Sequence, residues 1–425
     1  MMLRMRNFYN SERNENRFLW IVFVLALIMK LVFSLYILFK EGVVNSEYLY
    51  WASQFSQGDF VSPFSTMSRM NVAPLLSVVL SVFLKVFGSA GIPVCVFNSL
   101  LGAGIPITMY YLGKELAGNR VAVLMLIWAF FFPDFFKYVP AYLKETSVFF
   151  LLPLTVLFLV RSVNTNLRLL YVIIASVAFT VLIHIDERFI FYVVVFPLIF
   201  LISKTRIKRK VRTLLIWFGV FVVLSTPWII RNYLVYNQIV ILSTRTTVFT
   251  SKLWGENLTT FNYSSHEKAI DKFKNKHIEQ AKSFKKMYGV DYREYSRNEV
   301  LLRAFINYWQ PSFFKPTYIT YGYRPIKWSF SHNIMGWLFY GIFLPFYMLG
   351  MFWLIKQKRL IFLFIAIIPI IHSLLHTYMV SPLERYRVPM NFIVVLVALW
   401  FTSEFFHKVS LSKIGRKLFK IKSVE

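Results

Sequence analysis

The sequence predicts an all-α polytopic membrane protein of about 10 transmembrane helices, with an additional interfacial or re-entrant helix in its first external loop. Three observations support this fold class. The chain of 425 residues is 57% hydrophobic and has a mean hydropathy of +0.55. Apolar stretches near the ~20 residues that cross a bilayer recur along it. Lysine and arginine cluster in the short links between these stretches.

The first apolar stretch, Phe18 to Phe39, follows a basic and polar N-terminus. It is too long for a signal-peptide core and no small-residue cleavage site follows it, so we expect an uncleaved first span. The complete set of apolar stretches comprises residues 18–39, 73–87, 92–112, 121–133, 146–160, 169–183, 189–203, 213–230, 333–355, 360–380 and 388–405.

The basic links predict the topology, because lysine and arginine in short loops stay on the cytoplasmic side. The links are residues 114–120, 161–168, 204–212 and 356–359, followed by the tail from residue 407. If every apolar stretch crossed, the first three links would lie outside. All of them lie inside if residues 73–87 do not cross. This interpretation gives a first external loop of residues 40–93 and places both termini in the cytoplasm.

The same topology divides the chain into three regions. Residues 1–230 form an N-terminal transmembrane module, and residues 231–332 form an external amphipathic region. Residues 333–425 form the C-terminal transmembrane helices and a basic cytoplasmic tail. Within the external region, residues 264–310 are polar with apolar side chains on one helical face, which predicts an amphipathic helix pair on the membrane surface. We expect the protein in the cytoplasmic (inner) membrane.

The net charge of +28 does not indicate a nucleic-acid partner. The basic residues lie where anchors at an anionic inner leaflet are expected, so the lipid bilayer is the predicted partner. The single cysteine, Cys95, lies in an apolar stretch. It excludes an intrachain disulfide and is interpreted as a small buried residue.

Many ionisable residues fall at the predicted external ends of the helices. Charges near the hydrocarbon are costly, so each requires a reason. Carboxylates and arginines gathered at one membrane face are typical of a general base beside a phosphate clamp. Any single member is more often an interfacial anchor or a structural ion pair. The set comprises Glu41, Glu47, Asp59, Asp134, Lys137, Lys144, Glu145, His184, Asp186, Glu187, Arg188, Arg231, Arg245, Glu384, Arg385 and Arg387.

Metal sites and soluble-enzyme motifs are weakly indicated. His184 with the carboxylates that follow it, or His372 with His376 on one helix face, could ligate a metal. No third ligand lies close in sequence to the histidine pair, and a polar pair inside a helix bundle is the favoured interpretation. The sequence has no phosphate-binding glycine loop, Ser-His-Asp arrangement or cysteine metal site, which argues against a nucleotide-sugar site of the soluble kind.

The order of landmarks is informative beyond composition. NSEYLYWASQFSQGDF follows the first span, FPDFFKYVPAYLKETS and DERFIFYVVV come later, and a PW-x-x-RN block begins at Pro227. The stretch WGEN begins at Trp254, and an RYR-x-P block ends at Pro389. This order resembles the bacterial branch of the dolichyl-phosphate-mannose protein mannosyltransferase family (glycosyltransferase family 39). These are class C glycosyltransferases related to the lipid A aminoarabinose transferases. The resemblance covers residues 18–405.

The resemblance implies that residues 1–230 are the catalytic module of a hexosyltransferase. It implies inverting transfer of a sugar from a polyprenyl-phosphate donor on the external face, with a first-loop carboxylate as the base. Family members carry an aspartate shortly before the tyrosine of Y-x-x-x-A, here Tyr48 to Ala52, where this chain has Val44 and Asn45. Either Glu47 serves as the base, which we favour because an ionisable carboxylate is needed, or Asn45 replaces it and activity is lost or altered.

Further roles follow from the same resemblance. Glu145 matches a second acidic position of the family, and Asp134 is a less certain candidate. We expect four arginines to contact the donor phosphate, namely Arg188, Arg231, Arg385 and Arg387. We expect the sugar or acceptor to contact Tyr48, Trp51, Trp254 and Asn257. A divalent metal ion is the one cofactor left open, and the acceptor can be a protein, a lipid or a glycan.

Two other functions stay open from the sequence. A glycan polymerase or ligase that uses diphosphate-linked oligosaccharide fits the large external region but does not explain the first-loop pattern. A non-enzymatic flippase for lipid-linked sugars predicts repeated halves and polar residues at mid-membrane. The spans of this chain are largely apolar at their centres.

Overall fold

The computed structural model describes residues 12–41, 47–58, 72–236, 239–243, 305–306, 308–309, 330–379 and 387–411. Within these ranges every regular element is a helix. The α-helices are α1 Glu12–Glu41, α2 Glu47–Ser56, α3 Pro74–Phe87, α4 Gly91–Ala117, α5 Asn119–Phe131, α6 Asp134–Lys137, α7 Glu145–Asn164, α8 Leu169–Ile185, α9 Tyr192–Val195, α10 Ile199–Ile202, α11 Ile207–Tyr236, α12 Phe330–Phe339, α13 Leu344–Lys356, α14 Leu360–Met379 and α15 Asn391–Leu411. Short 3-10 turns lie at Glu187–Phe189, Phe196–Leu198, Gly341–Phe343 and Val388–Met390.

Within the described residues, six helices are long and apolar enough to cross a membrane. They span Asn14–Glu41, Gly91–Ala117, Glu145–Asn164, Ile207–Leu234, Ile334–Lys356 and Val388–Lys408. Shorter apolar helices span Pro74–Phe87, Asn119–Phe131, Leu169–Ile185, Tyr192–Ile202 and Leu360–His376. Every apolar stretch read from the sequence has a helical counterpart, so the all-α, multi-pass membrane fold is confirmed. The count of about 10 crossings stays a prediction.

The chain divides into two compact units. The first unit comprises residues 1–246, 342–368 and 389–425, and the second comprises residues 247–341 and 369–388. In the first unit, α4 packs against α1, α5 and α7, and α8 lies between α7 and α11. Helix α15 packs against α13 and α5. The predicted division at residues 230 and 332 concerns membrane regions and stays a prediction.

Close contact between α4 and α5 depends on one glycine. A Cβ added at Gly113 would lie 3.0 Å from the Ala122 Cα. A side chain there would push the two backbones apart, so the small residue lets the helices meet directly. Such small-residue contacts compensate for the weak hydrophobic driving force between helices in lipid.

Helix α3 does not run from one end of the first unit to the other. The amide before its first turn, Ala73 N, donates to Glu187 Oε2, just beyond the end of α8. Soon after α3 ends, Gly91 lies beside Leu38, near the end of α1, and beside Tyr142. Both termini of α3 therefore lie at the same end of the bundle. With 14 residues, α3 is also shorter than the ~20 that cross a bilayer. These features support the interfacial or re-entrant interpretation of residues 73–87.

The helices of the first unit bring ionisable residues to two opposite ends. At one end, which we call the basic end, Lys114 lies 2.6 Å from Glu15 and Arg161 lies 2.9 Å from Glu115. These residues mark the start of α1 and the ends of α4 and α7. The other end, which we call the network end, is formed by the starts of α2, α3 and α7 and by the end of α8. The candidate site lies there.

Candidate functional site

The centre of the network end is a buried carboxylate held by two cations. Asp186 has no exposed side-chain surface, and Lys144 Nζ lies 2.9 Å from its Oδ1. Arg188 Nε donates to Oδ1 and Oδ2 of Asp186 at 2.8 and 3.0 Å, and its terminal nitrogen also contacts Oδ2. Such charge-assisted contacts satisfy the aspartate and hold the arginine in one orientation.

The local sequence explains why the side chain of Asp186 turns inward. Helix α8 ends at Ile185, and Asp186 has an extended backbone with φ −141°. Its carboxylate accepts from the Arg188 amide at 3.2 Å and so caps the 3-10 turn Glu187–Phe189. Aspartate is favoured at such a position because its side chain satisfies amides that have no partner within the turn.

Glu187 connects this cluster to the first loop. Its Oε2 accepts from Ala73 N at 3.2 Å and lies 3.8 Å from Lys144 Nζ. The carboxylate therefore lies at the N-terminus of α3, where the helix dipole favours negative charge. One buried acid thus fixes the chain where α3 begins within the first loop.

The pKa values of the cluster follow from charge pairing. Burial alone would raise the pKa of Asp186, but the adjacent Arg188 and Lys144 charges outweigh burial and hold it well below its usual range. Burial alone would lower the pKa of Lys144, but Asp186 and Glu187 outweigh it and raise the pKa above its usual range. Both residues are therefore charged at neutral pH, and the cluster is an ionic one.

The buried polar atoms at this end that have no hydrogen-bond partner within the described part of the chain include Glu145 Oε2 and His184 Nε2. Glu145 is 6% exposed and His184 is 8% exposed. His184 Nδ1 lies 2.8 Å from the Thr180 carbonyl oxygen, so Nδ1 carries the proton in a neutral ring and Nε2 is an acceptor. The network end thus holds an acid and an imidazole with free hydrogen-bonding capacity.

The first-loop helix α2 begins at Glu47, as its predicted role requires, and continues through Ala52 to Ser56. Glu47 is exposed, whereas Tyr48 and Trp51 are 7% and 3% exposed. Both aromatic residues belong to a core cluster with Phe55. Burial raises the pKa of Tyr48 to about 12, and its surroundings include the charges of Lys144, Glu187, Asp186 and Glu145. Helix α2 therefore borders the ionic cluster.

The PW-x-x-RN block lies in α11 and fastens the segment that follows it. Trp228 Nε1 donates to the Leu242 carbonyl at 2.6 Å. Asn232 Nδ2 donates to the carbonyls of Val240 and Leu242 at 2.8 and 3.3 Å. The Trp228 ring also meets Phe55 edge to face, with centroids 6.3 Å apart. Two residues of the block therefore have a structural role, and they bring α11 to α2.

Arg231, predicted to bind the donor phosphate, is 8% exposed. Its Nη1 donates to Asn232 Oδ1 at 3.0 Å, and its guanidinium carbon lies 4.9 Å from the centroid of the Trp228 ring. These contacts hold the guanidinium in place. A pre-positioned arginine next to α2 suits an anionic ligand.

The second unit contains a separate buried group around Arg387. Its Nη1 donates to the Tyr308 carbonyl at 3.2 Å, and its guanidinium lies 4.0 Å from the Tyr340 ring centroid. The rings of His372 and His376 lie 4.2 Å apart, and both contact the Tyr308 ring. The two histidines thus form the polar pair inside a bundle that the sequence favoured.

The remaining predicted residues divide into two groups. Asp134 begins α6 and is half-buried, whereas Glu41 and Lys137 are exposed. The others lie outside the described residues, together with the predicted helix pair at 264–310. They are Asp59, Arg245, Trp254, Asn257, Glu384 and Arg385. Within the described ranges, no group of three or more histidine, cysteine, aspartate or glutamate side chains could hold a metal ion.

Sequence reasoning placed Lys144, Asp186 and Glu187 at one face but missed their mutual contacts. Lys144 and Asp186 are 42 positions apart, and only the packing of α7 on α8 brings them together. Sequence reasoning also missed Lys30, which is fully buried. The signal was available, because a lysine inside an otherwise apolar span needs a partner.

Comparisons with known proteins identify a matching family model and solved structures with a similar fold. Residues 71–230 match the family model of dolichyl-phosphate-mannose-protein mannosyltransferase. The matched region begins just before α3 and ends within the PW-x-x-RN block, so it contains the ionic cluster. No curated protein matches the chain.

Solved structures similar to this chain include the Archaeoglobus fulgidus oligosaccharyltransferase in its apo form. That structure has 13% sequence identity and a TM-score of 0.52, and the match covers 94% of this chain and 52% of that one. A second structure is the AglB enzyme of the same organism in complex with an inhibitory peptide and a dolichol-phosphate. It has 13% identity and a TM-score of 0.52, with 95% and 52% of the two chains covered. This chain spans about half the length of these proteins.

The resemblance expected from the sequence is therefore confirmed. Residues 71–230 resemble the dolichyl-phosphate-mannose-protein mannosyltransferases, and the protein is a multi-pass membrane protein with the fold of the class C glycosyltransferases.

Proposed function

We propose that this protein transfers a sugar from a polyprenyl-phosphate donor to an acceptor on the external face of the cytoplasmic membrane, with inversion at the anomeric carbon. One observation carries the proposal. The start of α2, the start of α7, the turn after α8 and the PW-x-x-RN block of α11 converge at the network end. Carboxylates, a held arginine and aromatic rings thus share one region, at one end of the candidate membrane spans.

Glu47 is the proposed general base. In the reaction, the acceptor hydroxyl oxygen bonds to the anomeric carbon, and the bond from that carbon to the phosphate oxygen breaks. The hydroxyl proton passes to the carboxylate, and polyprenyl phosphate leaves as an anion. A base must be accessible to its substrate, and Glu47 is the exposed carboxylate at the start of α2. Tyr48 and Trp51, buried beneath it, fix the helix more than they offer stacking surface.

Glu145 is the second candidate for an acid–base or substrate-orienting role, and Asp134 is the third. The free oxygen of Glu145 lies in a buried setting, where a hydrogen bond to a sugar hydroxyl would be strong. Glu145 starts α7 directly after Lys144, so its position is set by the ionic cluster. Asp134 is half-buried on α6, near the beginning of the segment that connects α5 to α7.

The leaving phosphate requires cations that are held in place and can contact an anionic ligand. Arg231 is the first candidate, because an amide oxygen and an indole ring hold its guanidinium on the helix that meets α2. Arg188 meets this requirement less well, since Asp186 engages it on two oxygens. Arg385 and Arg387 are proposed as further ligands from the RYR-x-P block. Trp254 and Asn257 are proposed to contact the sugar or acceptor.

The experiment is a transfer assay with purified protein in lipid nanodiscs, an undecaprenyl-phosphate-linked hexose panel and mixed acceptors. Glu47→Gln keeps the side-chain shape and removes the base, so transfer should fall by about 100-fold or more while binding of undecaprenyl phosphate is unchanged. Arg231→Gln should weaken that binding instead. Gln54→Glu, on the same helix, is the matched control and should retain transfer. Full activity of Glu47→Gln would move the base assignment to Glu145 or Asp134.

A second candidate function is transfer or polymerisation of diphosphate-linked oligosaccharide. The observation that favours it is the fold shared with oligosaccharyltransferases. The same assay separates the two if the panel includes undecaprenyl-diphosphate oligosaccharides. Turnover of the monophosphate donors alone supports the first proposal, and turnover of the diphosphate donors alone supports the second. A non-enzymatic flippase would turn over neither and would move the lipid across the bilayer.

The proposed topology can be tested with the same preparations. Lys137 and Asn164 are both exposed and lie at the network end and the basic end. In a Cys95→Ala background, Lys137→Cys should react with an impermeant maleimide in intact cells. Asn164→Cys should react only after the membrane is opened. The reverse pattern would place the network end in the cytoplasm and remove the external site.

A further inference from the structure

Lys30 is a fully buried lysine within the candidate span Asn14–Glu41. Its ammonium donates to the Phe135 carbonyl oxygen at 2.8 Å and lies 3.8 Å from the centroid of the Phe136 ring. A charge at this depth costs several kcal/mol, whereas methionine would fill a similar volume without that cost. The role of the lysine that these contacts indicate is to hold helix α6.

Helix α4 makes room for this lysine. A Cβ added at Gly102 would lie 2.8 Å from Lys30 Cδ and 3.6 Å from Val139 Cγ2. The lysine stem therefore passes directly over the α4 backbone on its way to the segment 133–144. Close backbone approach of this kind is a common reason for glycine inside a helix.

A second buried side chain of α4 holds the same segment. Asn98 is 2% exposed, and its Nδ2 donates to the carbonyls of Val139 and Ala141 at 3.0 and 3.1 Å. Residues 138–144 follow α6 and are not helical, so their carbonyls need donors from elsewhere. Asn98 supplies two of these hydrogen bonds, and Lys30 supplies one at α6.

The segment that Lys30 and Asn98 hold leads to the network end. We call residues 133–144 the link, since it connects α5 to α7. Its last residue, Lys144, contacts Asp186, and Glu145 follows directly. The backbone from Ala141 to Lys144 is short, so a shift at the Asn98 anchor moves the lysine that neutralises Asp186.

We propose that Lys30 and Asn98 are positioning residues that hold the link so that Lys144 and Glu145 reach the network end. Their catalytic importance rests on the proposed function, but their effect on Lys144 does not. Lys30 fixes the first half of the link and Asn98 fixes the second half. Neither touches Asp186, so both act through the link alone.

The test measures the accessibility of Lys144 directly. Full-length protein in detergent is treated with an N-hydroxysuccinimide acetate, and acetylation of each lysine is followed by mass spectrometry. Lys144 should react slowly in the wild type, because it is buried and paired. Lys30→Met and Asn98→Leu should each raise its rate about tenfold, the change expected from about 1.4 kcal/mol of loosening. Lys114 at the basic end should keep its rate.

Lys85→Met is the matched control, since it removes an exposed lysine from α3 by the same substitution. It should leave the Lys144 rate unchanged. An unchanged rate in both anchor variants would overturn the proposal, and so would a parallel rise at Lys114, because general loosening would then explain the result. If Lys30→Met does not fold, Asn98→Leu alone decides. The labelling does not depend on sugar transfer, so an inactive wild type would contradict the proposed function and leave this inference standing.

Discussion

The two ends of the first unit carry similar ionisable residues but expose them differently. At the basic end, the side chains of Lys114 and Glu15 are 37% and 11% exposed, and those of Arg161 and Glu115 are 26% and 28% exposed. At the network end, the side chains of Lys144 and Asp186 are 10% and 0% exposed. Exposed pairs cost little to form and contribute little. Buried charges must be paired, because a buried charge without a partner strongly lowers the stability of the fold.

The difference favours the network end as the place for the proposed chemistry. At the basic end, Lys114, Arg161 and Glu115 are partly exposed, so water screens their charges. At the network end the charges are buried although their desolvation is costly, and polar atoms there, including Glu145 Oε2 and His184 Nε2, have no partner among the described residues. Buried ionic clusters with spare hydrogen-bonding capacity are characteristic of binding and catalytic sites.

The largest expected effect comes from removing the shared carboxylate. Asp186→Asn leaves Lys144 and Arg188 without the acid that both contact, so the free energy of unfolding should fall by about 3–5 kcal/mol. Thermal unfolding in detergent, followed by tryptophan fluorescence, measures this loss. A change of less than about 1 kcal/mol would show that the cluster is as weakly coupled as a surface pair.

The next effect concerns the PW-x-x-RN block. Asn232→Leu removes the donor to the Val240 carbonyl and leaves Trp228 as the remaining described donor to the Leu242 carbonyl, so stability should fall by about 1–3 kcal/mol. Limited proteolysis should also begin to cut at residues 239–243. Tyr233→Leu, at the exposed neighbouring position, is the control and should change neither measurement. Equal behaviour of the two variants would mean that the block does not fasten this segment.

The stability of the network end should also depend on pH at both extremes. The depressed pKa of Asp186 gives stability that is present above about pH 4 and is lost as pH falls further. The raised pKa of Lys144, and that of Tyr48 at about 12, give stability that is present below about pH 10 and is lost as pH rises. In Asp186→Asn the loss of stability at acidic pH should be smaller than in the wild type. An unchanged loss would mean that other carboxylates cause it.

The smallest expected effect is at the basic end. Glu15→Gln removes the partner of Lys114, yet stability should change by no more than about 1 kcal/mol, because the lysine remains accessible to water. The same unfolding measurement applies. A loss as large as that of Asp186→Asn would erase the contrast between the two ends.

Much of the fold could be predicted because a bilayer imposes simple rules. Length, hydropathy and basic links located every apolar helix, and the parity of the links singled out residues 73–87. Pairing could not be predicted in the same way. Nothing in the sequence near Lys144 points to Asp186, since their contact depends on how α7 packs on α8. The partner of Lys30 was likewise invisible, because a backbone carbonyl has no sequence signature.

Photo-crosslinking of the leaving lipid measures directly whether the donor phosphate binds at the network end. An undecaprenyl-phosphate analogue with a diazirine next to the phosphate is bound to the protein in nanodiscs, irradiated and mapped by peptide mass spectrometry. We expect crosslinks at the network end, in α2, at the start of α7 and around Arg231 of α11. These crosslinks should disappear when unlabelled undecaprenyl phosphate competes. Competable crosslinks at the basic end, around Glu15 and Lys114, would contradict the account.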